Sequence, residues 1–193
     1  MLSIPDSVWN LLLDAFASAP AGHERVAYLD GVRFRDDHGV LQAVATTVTV
    51  PDAVTSPGNY RVSAAAMERA GAHFDSLGLI RLAQIHTHGN HRVTHSVVDD
   101  QHAYSQRDGA LSLVLPHHAV HRPAPHDAGV HVRGASGWRR VSEPEISQVL
   151  RLVPSLIDLR SGSAPWNGSP TGTKATSADG SLVSRMLSRL PWR

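Results

Sequence analysis

His86 and His88 stand two residues apart at the end of an apolar run, Leu79 to Ile85, in the stretch I-H-T-H-G-N-H-R-V-T-H-S-V-V-D-D. Alternate residues of an extended strand point to the same side, so a strand ending here presents both imidazoles to one point. Ser96 and Asp99 follow within the same stretch. A serine followed by acidic residues reads as a helix start with Ser96 near the N-cap, and Ser96 and Asp99 then lie one turn apart on one face. Two imidazoles from a strand and one carboxylate from a helix make three N/O ligands with a fourth position open. That is the donor set of a catalytic zinc site, one Zn2+ per chain.

The composition supports this choice of ligands. The chain has no cysteine, so neither a disulfide framework nor a thiolate site can form, and a metal must take histidine and carboxylate. It has 13 histidines, so His-x-His alone carries little; the frame with Ser96 and Asp99 carries the signal. At 193 residues and 41% hydrophobic content, one domain with a tail is expected. A net charge of +1 gives no global pull towards nucleic acid or an anionic membrane. No run is long enough to span a bilayer, and the start, M-L-S-I-P-D-S-V-W-N, lacks a signal-peptide pattern, so a cytoplasmic protein is expected.

The elements that must position these residues follow from periodicity. Pro5 to Ala19 reads as a helix, with Val8, Leu11, Leu12, Ala15 and Phe16 at helical spacing. Glu24 to Phe34 reads as an extended segment bent at Asp30-Gly31, and Leu41 to Val50 as a strand following a turn at Asp36 to Gly39. Pro51 to Asn59 reads as a loop. Ser63 caps a helix over Ala64 to Leu77, which Gly78 ends. The strand Leu79 to His86 carries the histidines, and a helix over Ser96 to Arg107 carries the carboxylate. Ala110 to Leu115 is a short strand, and His117 to Asp127 a loop with four histidines that bind adventitious metal at most. Gly129 to Val132 and Gly137 to Val141 are strands, and Glu143 to Leu156 is a last helix. Interleaved strands and helices make an α/β domain over residues 1–160. Residues 161–193 differ: a Ser/Gly/Pro-rich linker, then Leu182, Val183, Met186, Leu187 and Leu190 at helical spacing in a short basic amphipathic tail.

The frame H-x-H-x7-S-x2-D resembles the JAMM motif of the JAB/MPN-domain metalloproteases. Glu24 to Gly31 resembles that family's early E-x-x-G-x-L-x-G strand, with Ala27 in place of the first glycine. The resemblance spans Ile4 to Arg151. It implies a mixed, curved β-sheet flanked by helices, of the cytidine-deaminase-like kind. It also implies metal ligands at His86, His88 and Asp99, and a glutamate, Glu24, that activates water rather than binding metal. Asp30, Asp36 and Asp37 are the rival carboxylates, but they fall in turn-like sequence. Two departures stand out. The family often has proline after the second histidine and before the serine, where this chain has Gly89 and His95. Both predict a looser loop over Gly89 to His95, from which His91 and His95 could approach the metal.

The implied chemistry is hydrolysis of a peptide or isopeptide bond. Glu24 accepts a proton from water and passes it to the leaving amine, and Ser96 donates a hydrogen bond to the oxyanion. The resemblance further implies a ubiquitin-like protein or its conjugate as substrate, cut after its C-terminal glycine. E1-like and E2-like enzymes would then be pathway partners, with antiphage defence among the contexts. A peptidase trimming a sulfur-carrier tail and a non-catalytic MPN scaffold are the competing expectations.

Overall fold

The computed structural model describes residues 1–157. In chain order it runs β1 (Leu2–Pro5), α1 (Asp6–Ala17), β2 (Val26–Arg35), β3 (Leu41–Thr49), β4 (Ala53–Ser56), β5 (Asn59–Val62), α2 (Ala64–Ser76), β6 (Ile80–Thr87), α3 (Val97–His102), β7 (Leu111–Leu115), β8 (Gly129–Gly134), β9 (Gly137–Arg140), α4 (Glu143–Val149) and β10 (Leu150–Val153). Eight strands form one curved sheet in the order β10-β1-β3-β2-β6-β7-β8-β9, and β4 and β5 form a separate hairpin. Three neighbouring pairs are parallel (β10 with β1, β1 with β3, β6 with β7) and the other four antiparallel, so the sheet is mixed, as expected. The linker and tail expected over 161–193 lie outside the described residues.

The core lies between α1 and the sheet. Val8, Trp9, Leu12, Leu13 and Phe16 of α1 are buried against Leu2, Ile4, Leu29, Ala45, Ile85 and Leu113. Each such side chain contributes roughly 1.5–3 kcal/mol through removal from water. The indole N–H of Trp9 donates to the Pro123 carbonyl at 3.0 Å, tying the histidine-rich loop to α1. The metal strand β6 sits between β2 and β7 near the middle of the sheet. Its position there buries Leu82 through Thr87.

The bend at Asp30-Gly31 is a real irregularity. The pairing of β2 slips by one residue at Leu29/Asp30 against β6 and at Asp30/Gly31 against β3. A Cβ at Gly31 would lie 2.0 Å from the Val44 carbonyl oxygen, so only glycine fits. Ser63 caps α2 by accepting the Ala66 N–H at 3.1 Å, and Gly78 takes the left-handed conformation that ends the turn.

Four expectations need correction. The helix expected from Pro5 starts at Asp6, because Leu2–Pro5 is a strand set in register by β3 and β10 on its two sides. The loop expected over Pro51 to Asn59 contains β4 and the turn into β5. The helix expected to reach Arg107 stops at His102, because Ala103 turns extended and the Tyr104 N–H bonds the Gln84 side-chain oxygen at 2.9 Å instead of a helical carbonyl. The last helix ends at Val149, and Leu150–Val153 becomes β10, parallel to β1 with Leu2 opposite Leu150. In that last case sheet pairing overrides a helical spacing of apolar residues, which is a weak prior against tertiary contacts.

Candidate metal centre

The site forms where the ends of two neighbouring strands meet the start of α3. Strands β2 and β6 are antiparallel with Val26 opposite His86. The ladder continues past them, with the Thr87 N–H donating to the Arg25 carbonyl and the Arg25 N–H to the Thr87 hydroxyl, both at 3.0 Å. That register sets Glu24 beside His88. The Glu24 N–H donates to the Ser56 carbonyl at 2.8 Å, so the β4–β5 hairpin holds it from the other side.

His86, His88 and Asp99 each offer one ligand atom, all within 4.8 Å of one another. The Nε2 of His86 lies 3.2 Å from Asp99 Oδ1, and the Nε2 of His88 lies 3.4 Å from Asp99 Oδ2. Asp99 is presented by a capping box at the start of α3. Ser96 Oγ accepts the Asp99 N–H at 3.2 Å, and Asp99 Oδ2 accepts the Ser96 N–H at 2.6 Å. The Ser96 hydroxyl proton is left free by this arrangement, since Oγ acts only as acceptor.

Two features fit a cation at this point. His86 is fully buried, and neither of its ring nitrogens makes a hydrogen bond, although Nε2 faces a carboxylate. A buried polar atom without a partner is costly unless something else satisfies it. His88 Nδ1 lies 2.8 Å from the Arg92 carbonyl oxygen, which can only accept. Nδ1 therefore carries a proton in either state of the ring, and Nε2 points at Asp99: a charged ring turns a proton towards the carboxylate, and a neutral ring offers the lone pair that a metal ion between them would take up.

The electrostatics agree. Burial lowers the pKa of His86 and keeps it neutral. The Asp99 carboxylate raises that of His88, the more exposed of the two. Burial pushes the Asp99 carboxyl up, but the two imidazoles and the Ser96 N–H more than offset this and hold it well below the usual carboxylate range. Glu24 goes the other way. It is only 8% exposed, and burial pushes its carboxyl up to about 7, with His88 opposing and Asp99 adding.

The loop between ligands is tied down rather than loosened by Gly89 and His95. The His88 N–H donates to the Leu115 carbonyl, the His118 N–H to the His88 carbonyl and the His117 N–H to the Asn90 carbonyl, at 2.8–2.9 Å. A Cβ at Gly89 would come within 2.9 Å of the His118 ring, so glycine lets the histidine-rich loop pack against the ligand loop. A Cβ at Gly129 would overlap the Val93 carbonyl, closing the same loop onto β8. The centre of the His95 ring lies 5.8 Å from that of the His86 ring, but both of its nitrogens are taken by other partners. Its Nδ1 lies 2.8 Å from Asp100 Oδ1 and its Nε2 2.9 Å from Ser112 Oγ. His91 is exposed at the cleft rim.

A cleft of about 860 Å³ opens over the site, lined by Glu24, His88, Ser96 and Asp99, by loop 89–95, and by the hairpin turn Pro57-Gly58-Asn59. A second cleft of about 770 Å³, lined by Tyr28, Tyr60, Met67 and Tyr104 among others, shares Asn59, Val98 and Asp99 with it. The two adjoin at Asp99. The rival carboxylates are elsewhere: Asp30 is bonded to Arg81, and Asp36 closes the β2–β3 turn by accepting the N–H groups of His38 and Val40. Sequence reasoning missed Tyr60, whose ring lies 5.2 Å from that of His86 and whose hydroxyl accepts the Gln84 amide at 2.6 Å. It also missed Gln84, Ser112 and His131, whose only signal was a polar residue inside an apolar strand.

No protein-family model matches the chain. Among curated proteins, it is 29% identical over 133 residues to a probable metalloprotease of Sinorhizobium fredii, covering 68% of this chain and 81% of the relative. Among solved structures, a protein of Desulfitobacterium hafniense superposes with a TM-score of 0.56 at 18% identity, covering 81% of this chain and 95% of that one, and so shares its fold. A JAB1/MPN domain protein of Archaeoglobus fulgidus matches with a TM-score of 0.43 at 15% identity over 78% of this chain and 98% of that one, too distant a superposition to argue from. The curated relative, the mixed sheet and the converging His86, His88 and Asp99 bear out the resemblance of this chain to the JAB/MPN metalloproteases.

Proposed function

We propose that the chain is a zinc-dependent peptidase or isopeptidase that cleaves after the C-terminal glycine of a ubiquitin-like protein. The reading rests on one observation: a buried glutamate, Glu24, lines the same cleft as three converging ligands, His86, His88 and Asp99. Zinc held by those three supplies Lewis acidity and lowers the pKa of water at its open position towards neutrality. Glu24, a buried carboxylate in the same cleft as the ligands, is suited to take a proton from the attacking water and return it to the departing amine. The water oxygen bonds to the scissile carbonyl carbon, the C–N bond breaks, and the Glu24 proton leaves with the amine nitrogen. Ser96, whose Oγ already accepts the Asp99 N–H, keeps its own O–H to donate to the oxyanion.

The choice of a ubiquitin-like substrate is supported by the motif's resemblance and by an open groove, two adjoining clefts meeting at Asp99, that suits an extended chain end. In this reading residues 1–160 are the catalytic domain and 161–193 a separate tail. The protein acts in the cytoplasm, alongside E1-like and E2-like enzymes. Among the described residues no helix is long and apolar enough to cross a membrane.

The test pairs metal content with turnover on ubiquitin-like proteins carrying a fluorogenic amide at the C-terminal glycine. Wild type should hold about one zinc per chain and release the fluorophore, and a His86→Ala, His88→Ala double variant should lose both. Glu24→Gln should keep the zinc and lose roughly 10²–10⁴-fold in turnover. Zinc retained in the double variant would overturn the ligand assignment, equal turnover in Glu24→Gln would overturn the role of Glu24, and a zinc-loaded wild type without turnover would favour a scaffold.

A further inference from the structure

Asp100, His95 and Ser112 form a hydrogen-bonded line outside the ligand set, Oδ1 to Nδ1 at 2.8 Å and Nε2 to Oγ at 2.9 Å. The order is that of a nucleophile triad, but the chemistry is not. Ser112 is fully buried on β7, with Gln84 and His131 opposite it on the flanking strands, so no carbonyl can reach its oxygen. The line ends in the sheet at Ser112 and at a half-exposed carboxylate at Asp100.

Its members are all satisfied, and their protons can be placed. The Asp100 carboxylate only accepts, so His95 Nδ1 carries the proton and Nε2 accepts from the Ser112 hydroxyl. The His131 ring stacks on the His95 ring, with centroids 3.8 Å apart and planes at 13°. His131 Nδ1 lies 3.1 Å from the Gly129 carbonyl oxygen, so that nitrogen is the donor, and its Nε2 accepts the His95 backbone N–H at 3.2 Å. Trp138 from β9 meets the His95 ring edge-on at 5.3 Å. His95 is thus held to β7, β8 and β9 by its peptide N–H, its Nε2, a stacked ring and an edge-on ring. Through Asp100 it grips the residue next to Asp99, and through its own peptide it precedes Ser96.

We propose that His95 is a positioning residue, clamped between Asp100 and Ser112, which fixes the start of α3 on the sheet and so holds Asp99 against the β6 histidines. The inference rests on His86, His88 and Asp99 being the metal ligands. α3 needs such a clamp. It has only six residues, too few to hold a fixed direction by its own hydrogen bonds, and apart from Asp99 no residue of it is buried. Where the resembled family often stiffens this position with proline, His95 supplies side-chain bonds instead.

The experiment measures zinc affinity by chelator competition and the visible spectrum of the cobalt-substituted protein, which reports ligand geometry. It compares wild type with His95→Ala, Asp100→Ala, Asp100→Asn and the His95→Ala, Asp100→Ala pair. Groups that orient metal ligands typically change affinity 10–100-fold. His95→Ala and Asp100→Ala should each lose about tenfold, the low end of that range, and shift the cobalt bands. The pair should lose little more than either alone, because both break one unit. Asp100→Asn keeps an acceptor oxygen for the imidazole N–H and should restore both readouts. A folded His95→Ala or Asp100→Ala with wild-type affinity and spectrum overturns the clamp while leaving the metal site intact. Should His95→Ala fail to fold, Asp100→Ala decides, since the Asp100 side chain is 47% exposed. Loss of zinc from wild type itself, or its retention in His86→Ala, overturns the ligand assignment and the clamp with it.

Discussion

Two buried aspartates of this chain, Asp30 and Asp99, are treated in opposite ways. Asp30 is fully buried and fully partnered. Arg81 reaches it through Nε at 3.0 Å and Nη2 at 3.3 Å, and the Thr49 hydroxyl donates to it as well. Arg81 is itself stacked on Tyr28, 3.8 Å from the ring centre, and lies 4.9 Å from that of Phe74. Asp99 accepts the Ser96 N–H and faces the Nε2 atoms of two imidazoles, of which that of His86 makes no hydrogen bond. A buried charge whose counter-charge is built into the fold is structural. A buried charge faced by imidazoles, which bind metal in their neutral form, is arranged for a cation that the chain does not itself supply.

The comparison can be broken most directly by deleting each carboxylate. Asp30→Ala leaves the Arg81 guanidinium buried and unpaired, and should destabilise the protein by about 3–5 kcal/mol in denaturant unfolding. Asp99→Ala in metal-free protein loses chiefly a helix cap, about 1–2 kcal/mol. It should abolish zinc binding, which Asp30→Ala should leave near wild type wherever the protein is folded. Equal costs for the two would erase the distinction.

Next in size is the response to metal. Zinc at a free concentration a hundredfold above its Kd should stabilise wild type by about 2.7 kcal/mol, read as a rise in Tm that chelator reverses. The Asp99→Ala protein should show no such rise.

The smallest effect is in pH dependence, and it sharpens the comparison by its sign. Glu24 has its pKa raised by burial, so its contribution to metal-free stability is fully present below its ordinary value of 4.5 and is lost as pH rises through about 7. Asp99 has its pKa lowered, so its contribution is present above the ordinary carboxylate range and is lost only in strong acid. Tm of metal-free protein should therefore decline from pH 4.5 to 7 more steeply in wild type than in Glu24→Gln. A slope unchanged by that substitution would place Glu24 in water rather than in the cleft wall.

What could be read without the fold depended on distance along the chain. His86 and His88 converge because a strand repeats every two residues, and Ser96 and Asp99 because a capping box spans three. The bend at Asp30-Gly31, the cap at Ser63 and the stop at Gly78 were legible for the same local reason. Elements held by distant partners were not: β1 and β10 exist by pairing with each other across most of the domain, and β4–β5 by closing over the site. The supposed slack in loop 89–95 was also misread, because His118, Leu115 and Gly129 hold it from other parts of the chain.

The sequence by itself determined the ligand types, their local geometry and the absence of any thiolate alternative, since each follows from composition or from spacing within one turn or strand. Only the tertiary structure decided that Glu24 meets His88, through the β2–β6 register, and that burial lifts its carboxyl into the range useful for proton transfer. It also decided that both ring nitrogens of His95 are taken by Asp100 and Ser112. Burial and partner choice are set by residues tens of positions away, and no local pattern encodes them.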